Sequence, residues 1–302
     1  MRYISIILLA VFIICVSGCQ PPESMVDDSD HIRPNIIIIY ADDLGFGDVG
    51  VYGSTKIPTP NIDQLAMEGR RFTDAHAPSA TCTPSRFGLL TGMYPWRNKR
   101  ARILSGTAPL LIDTAQATLA SMLKEQGYHT GIVGKWHLGL GNGNVDWNTE
   151  ISPGPNELGF DYSHILAATQ DRVPTVYIEN GFVVNLDPDD PIQVSYEANF
   201  EGEPTGVNNP ELLTMKWHHG HNNSIVNGIG RIGFMKGGIS ARWSDIDMAD
   251  HFLEKAAAFI ENKNEQPFFL YYALQQPHVP LSLIHISEPT RHICLSRMPS
   301  SA

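Results

Sequence analysis

The chain has little of what marks a nucleic-acid binder, a membrane-spanning protein or a disulfide scaffold. Lysine and arginine number 21 against 32 aspartate and glutamate, a formal net charge of −11, whereas nucleic-acid binding normally needs a basic face. The deficit leaves an anionic substrate possible, because a local divalent cation with Arg and Lys outweighs diffuse surface charge within a Debye length. Ile4 to Val16 is apolar but shorter than the roughly 20 residues of a spanning helix. No internal repeat or low-complexity tract is present. Cysteine is scarce, four in 302 residues. What remains is ordinary for one large or two small globular domains: 42% hydrophobic, 18% charged, with 26 Gly and 21 Pro spread along the chain.

Both ends stand apart. Arg2 and Ile4 to Val16 form an export signal, and Val16-Ser17-Gly18-Cys19 resembles a bacterial lipobox, cleaved before Cys19 with lipid attached to that thiol. That implies a lipid-anchored protein of the bacterial cell envelope, periplasmic or on the outer-membrane surface. An ordinary signal peptide with an incidental cysteine is the alternative. Residues 20–33, rich in Pro, Ser and Asp, read as a flexible tether. Leu281 to Arg291 resembles the translation of a transposase-type sequencing-library adapter, and Ser296 to Ala302 the flow-cell end of the same adapter. The expectation is that 281–302 is not native, that 34–280 is the folded part, and that the natural protein continues past Pro280. Cys15, Cys19 and Cys294 then fall outside the folded part. Cys82 has no intrachain disulfide partner in an oxidising setting.

Strand-like and helical patterns alternate, which predicts an α/β fold with a mostly parallel central sheet flanked by helices. Asn35 to Tyr40 is a β-branched run, the pattern of a strand buried on both faces. Thr59 caps a helix through Glu68 that stops at Gly69, and Thr114 to Gln126 predicts another, with Leu119, Met122 and Leu123 on one stripe and Gly127 as its stop. Arg71 to His76 is strand-like, and Tyr128 to Val133 is a strand. Between Leu140 and Lys236 the Gly-, Asn-, Asp- and Pro-rich chain reads as long loops over the carboxyl edge of the sheet, with short strands such as Thr175 to Ile178. Ser244 to Asn262 is an amphipathic helix with Ile246, Ala249, Phe252, Leu253, Ala256 and Ile260 near helical spacing, and Pro267 to Leu274 is a second buried strand.

Four segments carry chemistry. In Cys82-Thr83-Pro84-Ser85-Arg86, Pro84 suits the first turn of a helix. Cys82 is expected just ahead of that helix's N-terminus, where aligned N–H groups favour negative charge, and Arg86 adds a cation one turn on. By itself the thiol is equally a buried structural cysteine or a metal ligand. Asp42-Asp43 follows the first strand directly, where ligands of open α/β sheets gather; adjacent carboxylates there repel unless a cation neutralises them. A solvated turn is the alternative, and Gly45, Gly47 and Gly50 suit tight turns around such a site. Gly134-Lys135-Trp136-His137-Leu138-Gly139 places Lys135 and His137 on the same side of an extended chain, a cation for an oxyanion and a proton carrier. Gln276-Pro277-His278-Val279-Pro280 ends the second buried strand, with prolines restricting the direction of His278.

Together these segments resemble the formylglycine-dependent sulfatases of the alkaline phosphatase superfamily, over Asn35 to Pro280 and in the family's order. The resemblance implies that Cys82 is converted by a maturation enzyme to formylglycine, whose hydrate attacks sulfur and later expels sulfate on collapse. It implies that Asp42, Asp43 and the modified Cys82 bind calcium, with magnesium the lesser candidate. It also implies that Arg86 steadies the hydrate and Lys135 contacts sulfate. His137 helps expel it, and His278 or Lys135 assists the leaving oxygen. An Asp-Asn pair and a further lysine, supplied in the family after the last strand, and a smaller C-terminal domain are expected beyond Pro280. Val226 to Phe234 resembles bacterial sulfatases of the arylsulfatase and N-acetylgalactosamine-6-sulfatase type, which makes a sulfated carbohydrate or aryl sulfate the expected partner. Trp217-His218-His219-Gly220-His221 with Asn222, Asn223 and Ser224 reads as a flexible polar loop, a transition-metal site being the alternative; under the sulfatase resemblance it is expected to contact the sugar. The competing functions are a phosphatase or phosphonate-monoester hydrolase of the same superfamily, and a non-catalytic glycan-binding lipoprotein.

Overall fold

The computed structural model describes residues 33–216, 220–262 and 266–280. The export signal, lipobox and adapter-like segment, nearly all of the tether and Trp217, His218 and His219 lie outside the described residues. In chain order the elements are β1 (Ile36–Tyr40), α1 (Pro60–Glu68), α2 (Cys82–Thr91), α3 (Leu119–Glu125), β2 (His129–Lys135), β3 (Tyr162–Leu166), β4 (Tyr177–Glu179), β5 (Phe182–Val183), β6 (Gln193–Ser195), β7 (Ile225–Val226), β8 (Ile229–Gly230), β9 (Phe234–Lys236), α4 (Met248–Glu261) and β10 (Phe268–Ala273). The main sheet runs β1-β10-β2-β3-β4-β5. Its first four strands are parallel and the last two antiparallel. This is the mostly parallel α/β sheet the alternating pattern predicts.

β10 is the centre of the fold. All six of its residues are buried, and it pairs with β1 through Ile36↔Phe269 and with β2 through Phe268↔His129. Because side chains alternate across a strand, Phe269, Tyr271 and Ala273 enter one core with Phe87, Leu90 and Trp136. Phe268, Leu270 and Tyr272 enter the other with Trp243, Phe252 and Phe259. Each large apolar side chain so buried contributes roughly 1.5–3 kcal/mol, so strand pairing and both cores reinforce one another there. α2 lies against the first core and α4 against the second, α4 through Met248, Phe252, Ala256 and Phe259.

Several expectations change. β1 is not buried on both faces: Ile36, Ile38 and Tyr40 pack against the first core, whereas Ile37 and Ile39, on the opposite face, are more than a third exposed and join neither core. Arg71 to His76 forms no strand and is exposed throughout, having too few apolar side chains to bury one face. α3 starts at Leu119, where Thr118 and Ser121 form a reciprocal cap, and Met122 turns to solvent. α4 starts at Met248, leaving Ile246 exposed outside it. The Leu140–Lys236 region is less loop-like than its composition suggests, because it supplies β3, β4 and β5 to the main sheet. β7 and β8 form a hairpin across Asn227-Gly228, both left-handed (φ 56° and 73°), the turn that matches strand twist.

Candidate active site

The carboxyl ends of β1, β10 and β2 bring the four segments together. Asp42 follows β1, and its N–H donates to Gln276 O (3.1 Å) in the segment after β10. Asp42 is buried and pairs with two cations: Lys135 Nζ on Oδ2, and Arg86 Nη2 at 3.4 Å from Oδ1. Lys135, the last residue of β2 and fully buried, also lies 3.2 Å from Cys82 Sγ. Arg86 is fully buried; Nη1 donates to Lys135 O (2.9 Å) and Tyr271 Oη (3.2 Å), and its guanidinium sits 5.3 Å from the centre of the Tyr40 ring. Tyr40 Oη and Ser85 Oγ share a hydrogen bond of 2.5 Å, tying β1 to α2.

Cys82 is the first residue of α2, with Thr81 as N-cap, so it lies inside the first turn and not ahead of it. Pro84 falls where a turn has no use for its missing donor. Burial pushes the Cys82 thiol up, but the hydrogen bond with His278 and the charge of Lys135 outweigh it and leave it below its ordinary value. His278 moves the other way: burial opposes its charge, and the Cys82 contact overcomes that and raises it. Its Nδ1–H donates to Val279 O (2.7 Å), which leaves Nε2 as the ring nitrogen for the Cys82 contact, 3.7 Å from Asp43 Oδ2. Burial, then Arg86, hold Lys135 below its ordinary value despite Asp42.

Two placements differ from an extended-chain reading. His137 adopts a left-handed backbone (φ 52°), which breaks the alternation that would put it beside Lys135. Its Nε2–H donates to Leu104 O (2.9 Å), Thr83 Oγ1 donates to its carbonyl (2.7 Å), and its Nδ1 is buried without a partner. Burial, helped by the charge of Lys135, keeps this imidazole well below its usual range and so neutral. Asp43 is also left-handed (φ 62°), and its side chain is 56% exposed. Gly45, Gly47 and Gly50 sit in or beside short 3-10 turns and none needs a positive φ.

Ligand atoms of Asp42, Cys82 and His278 lie within 4.8 Å of one another. With a thiol this donor set is soft; with an oxygen-bearing group in its place, Asp42 and that group offer oxygen ligands of the kind a hard cation takes, while Asp43 stands outside the cluster, its Oδ2 3.7 Å from His278 Nε2. The residues present therefore fit such an ion from the β1 side. The supporting groups Tyr40, Thr83 and Tyr271 carried no signal of their own, since an isolated tyrosine or threonine in a strand or helix reads as packing.

The Sulfatase family matches residues 34–289. The chain belongs to the sulfatase family. It is 55% identical over 266 residues to an N-acetylgalactosamine-6-O-sulfatase of Bacteroides thetaiotaomicron, covering 88% of this chain and 52% of that protein. It is 33% identical over 256 residues to human arylsulfatase A, covering 82% and 42%. A solved structure from work on the metabolism of multiple glycosaminoglycans by Bacteroides thetaiotaomicron superposes with TM-score 0.81 at 58% identity, covering 82% of this chain and 52% of that one. The chain thus spans about half the length of the curated relatives it matches. Sulfatases generally use a formylglycine and a divalent metal.

Proposed function

We propose that the protein hydrolyses sulfate esters of a sulfated carbohydrate, with Cys82 converted to formylglycine and calcium held by Asp42, Asp43 and the modified side chain. The observation that carries this reading is the setting of Cys82: Lys135 Nζ at 3.2 Å, and buried Arg86 anchored to the carbonyl of Lys135. When bound, the ion would neutralise the carboxylates and acidify a hydroxyl of the hydrated nucleophile. Lys135, its Nζ set between Asp42 and Cys82, would donate to a sulfate oxygen, where fixed cations in a dry site stabilise developing charge. Arg86 supplies permanent charge behind the nucleophile and holds the end of β2 in place. His278, its Nε2 directed by the Nδ1 bond to Val279, gives a proton to the departing sugar oxygen. Neutral His137, with Nδ1 bare, takes a proton as sulfate is released.

The relative's name makes 6-O-sulfated N-acetylgalactosamine the first substrate to assay. Protein co-expressed with a formylglycine-generating enzyme should show, by mass spectrometry of the peptide containing Cys82, loss of the thiol and gain of an aldehyde. The full-length matured protein should cleave aryl sulfate faster than aryl phosphate. Equal turnover by a Cys82→Ala variant would sink the mechanism, and preference for phosphate would point to the phosphatase reading. The lipobox-like sequence supports lipid attachment at Cys19 and a place in the bacterial cell envelope. Cys19→Ala should move the protein from the membrane to the soluble fraction.

A further inference from the structure

Beside the groups used above, one segment carries buried polar atoms that nothing in the described fold completes. After β3 the chain stays paired with the end of β2, His137 N–H donating to Ala167 O (3.2 Å), and then runs through Thr169, Gln170 and Asp171. Asp171 is 4% exposed. Its Oδ2 accepts from His221 Nε2 at 2.7 Å. Its Oδ1 is buried with no hydrogen-bond partner among the described residues, and so is Thr169 Oγ1.

The segment is held firmly. Ile232 N–H donates to Asp171 O (2.8 Å), and Arg231 Nη1 donates to Gln170 O (2.6 Å) while its Nη2 pairs with buried Asp245 (2.6 Å). Asp171 and His278 are close enough that each favours the charged form of the other, though burial opposes both. A rigid, dry carboxylate oxygen with no donor is unfavourable in a folded protein unless a ligand completes it.

We propose that Asp171, oriented by His221, is a specificity-determining residue that accepts a hydrogen bond from a hydroxyl of the sulfated sugar unit. The inference rests on the sulfatase reading and extends it. A site built around a buried acceptor selects substrates that bring the matching donor, because those without it leave the acceptor stranded. Aryl sulfates have no such hydroxyl, so they bypass Asp171.

The test compares kcat/KM for the full-length matured protein and its Asp171→Ala, Asp171→Asn and His221→Ala variants on 6-O-sulfated N-acetylgalactosamine and on 4-nitrophenyl sulfate. Asp171→Ala is expected to lose roughly 10- to 100-fold on the sugar, the scale of a hydrogen bond to a charged group, and less than about 3-fold on the aryl ester. Asp171→Asn, which keeps an acceptor oxygen, should lose less. Deoxy sugars lacking single hydroxyls should identify the partner, one of them being cleaved equally by parent and Asp171→Ala. Parallel losses on both substrates would make Asp171 a structural residue or a helper of His278 and overturn the proposal, as would no loss on either. If the parent cleaves neither ester, the sulfatase reading fails first and the inference falls with it.

Discussion

Arg231 and Asp245 form a buried ion pair whose removal has a calculable effect. Arg231 is fully buried and donates to Asp245 Oδ2 (2.6 Å), Gln170 O (2.6 Å) and Val226 O (3.1 Å). Asp245 also accepts from Gln170 Nε2 (3.0 Å), Trp243 Nε1 (3.2 Å) and Asn227 Nδ2 (2.9 Å). Arg231→Ala strands a carboxylate and two carbonyls away from water. Breaking one side of a buried pair costs about 3–5 kcal/mol, and a domain of this size shifts by about 2–4 °C per kcal/mol, so the melting temperature should fall roughly 6–20 °C at neutral pH. Asp245→Ala should fall comparably, while Arg231→Met with Asp245→Leu should recover much of the loss, since apolar replacement of both partners removes the desolvation penalty. The acid limb supplies a sign check. Burial raises Asp245, but the charge and hydrogen bond of Arg231 outweigh it and hold the carboxyl below its ordinary value. The pair's stabilisation is therefore present above about pH 4 and lost as pH falls through the lower folded value, so parent and Arg231→Ala should converge in acid. Calorimetry between neutral pH and about pH 3 reads both effects; a variant melting within about 2 °C of the parent at neutral pH would refute the argument.

Other perturbations act elsewhere in the sheet. Gly134→Ala puts a side chain at φ 114° directly against the carbonyl of Ala273; it should destabilise by more than about 2 kcal/mol, and an unchanged denaturation midpoint would contradict the close approach of β2 and β10. His164 faces His251 with the two Nε2 atoms 2.8 Å apart, and burial, then Lys255 and His251, push it down to about 3. The unfolded chain takes that proton near pH 6.5, so stability should decline as pH drops below about 6.5, and His164→Phe should flatten the decline; identical slopes would exclude His164 as its source. In unmatured protein Cys82 should be alkylated by iodoacetamide with a midpoint below that of a free thiol, and His278→Ala should move it upward. An unchanged midpoint would exclude the contact.

How far the sequence revealed this arrangement depended on where polar residues fell. β10 was legible because Phe268 to Ala273 is apolar at every position, as a strand with a core on each side must be. β3 was not, because Ser163 and His164 interrupt it. Their burial is tolerated through side-chain partners outside the strand, Asn156 Oδ1 for Ser163 Oγ (2.8 Å) and His251 for His164, and no local pattern announces a partner 87 residues away. The same holds at the site. Cys82, Arg86, Lys135 and Asp42 are carried by short motifs at strand ends, whereas Asp171 occupies a segment read as loop and meets His221 across 50 residues. The histidine cluster drew notice as a group, yet the described member, His221, acts through a carboxylate that composition alone would assign to a turn.

The backbone departs from regular geometry where the chemistry collects. Asp43 and His137 are two of five non-glycine residues with positive φ among the described residues, and they come three and two residues after the ends of β1 and β2. A left-handed residue costs of order 1 kcal/mol or more and persists where surrounding contacts overdetermine it. Those contacts are present: Asp42 N–H is bound by Gln276 O beside one, and Thr83 Oγ1 holds the carbonyl of the other. Had β2 stayed extended through His137, its imidazole would share the face of Lys135, and two groups would compete for one position beside Cys82. The turn at His137 instead sends the ring to Leu104 and leaves Lys135 alone against the thiol. The strain thus divides two side chains that sequence spacing places together, giving one a charged contact with the Cys82 thiol and the other a buried, neutral nitrogen.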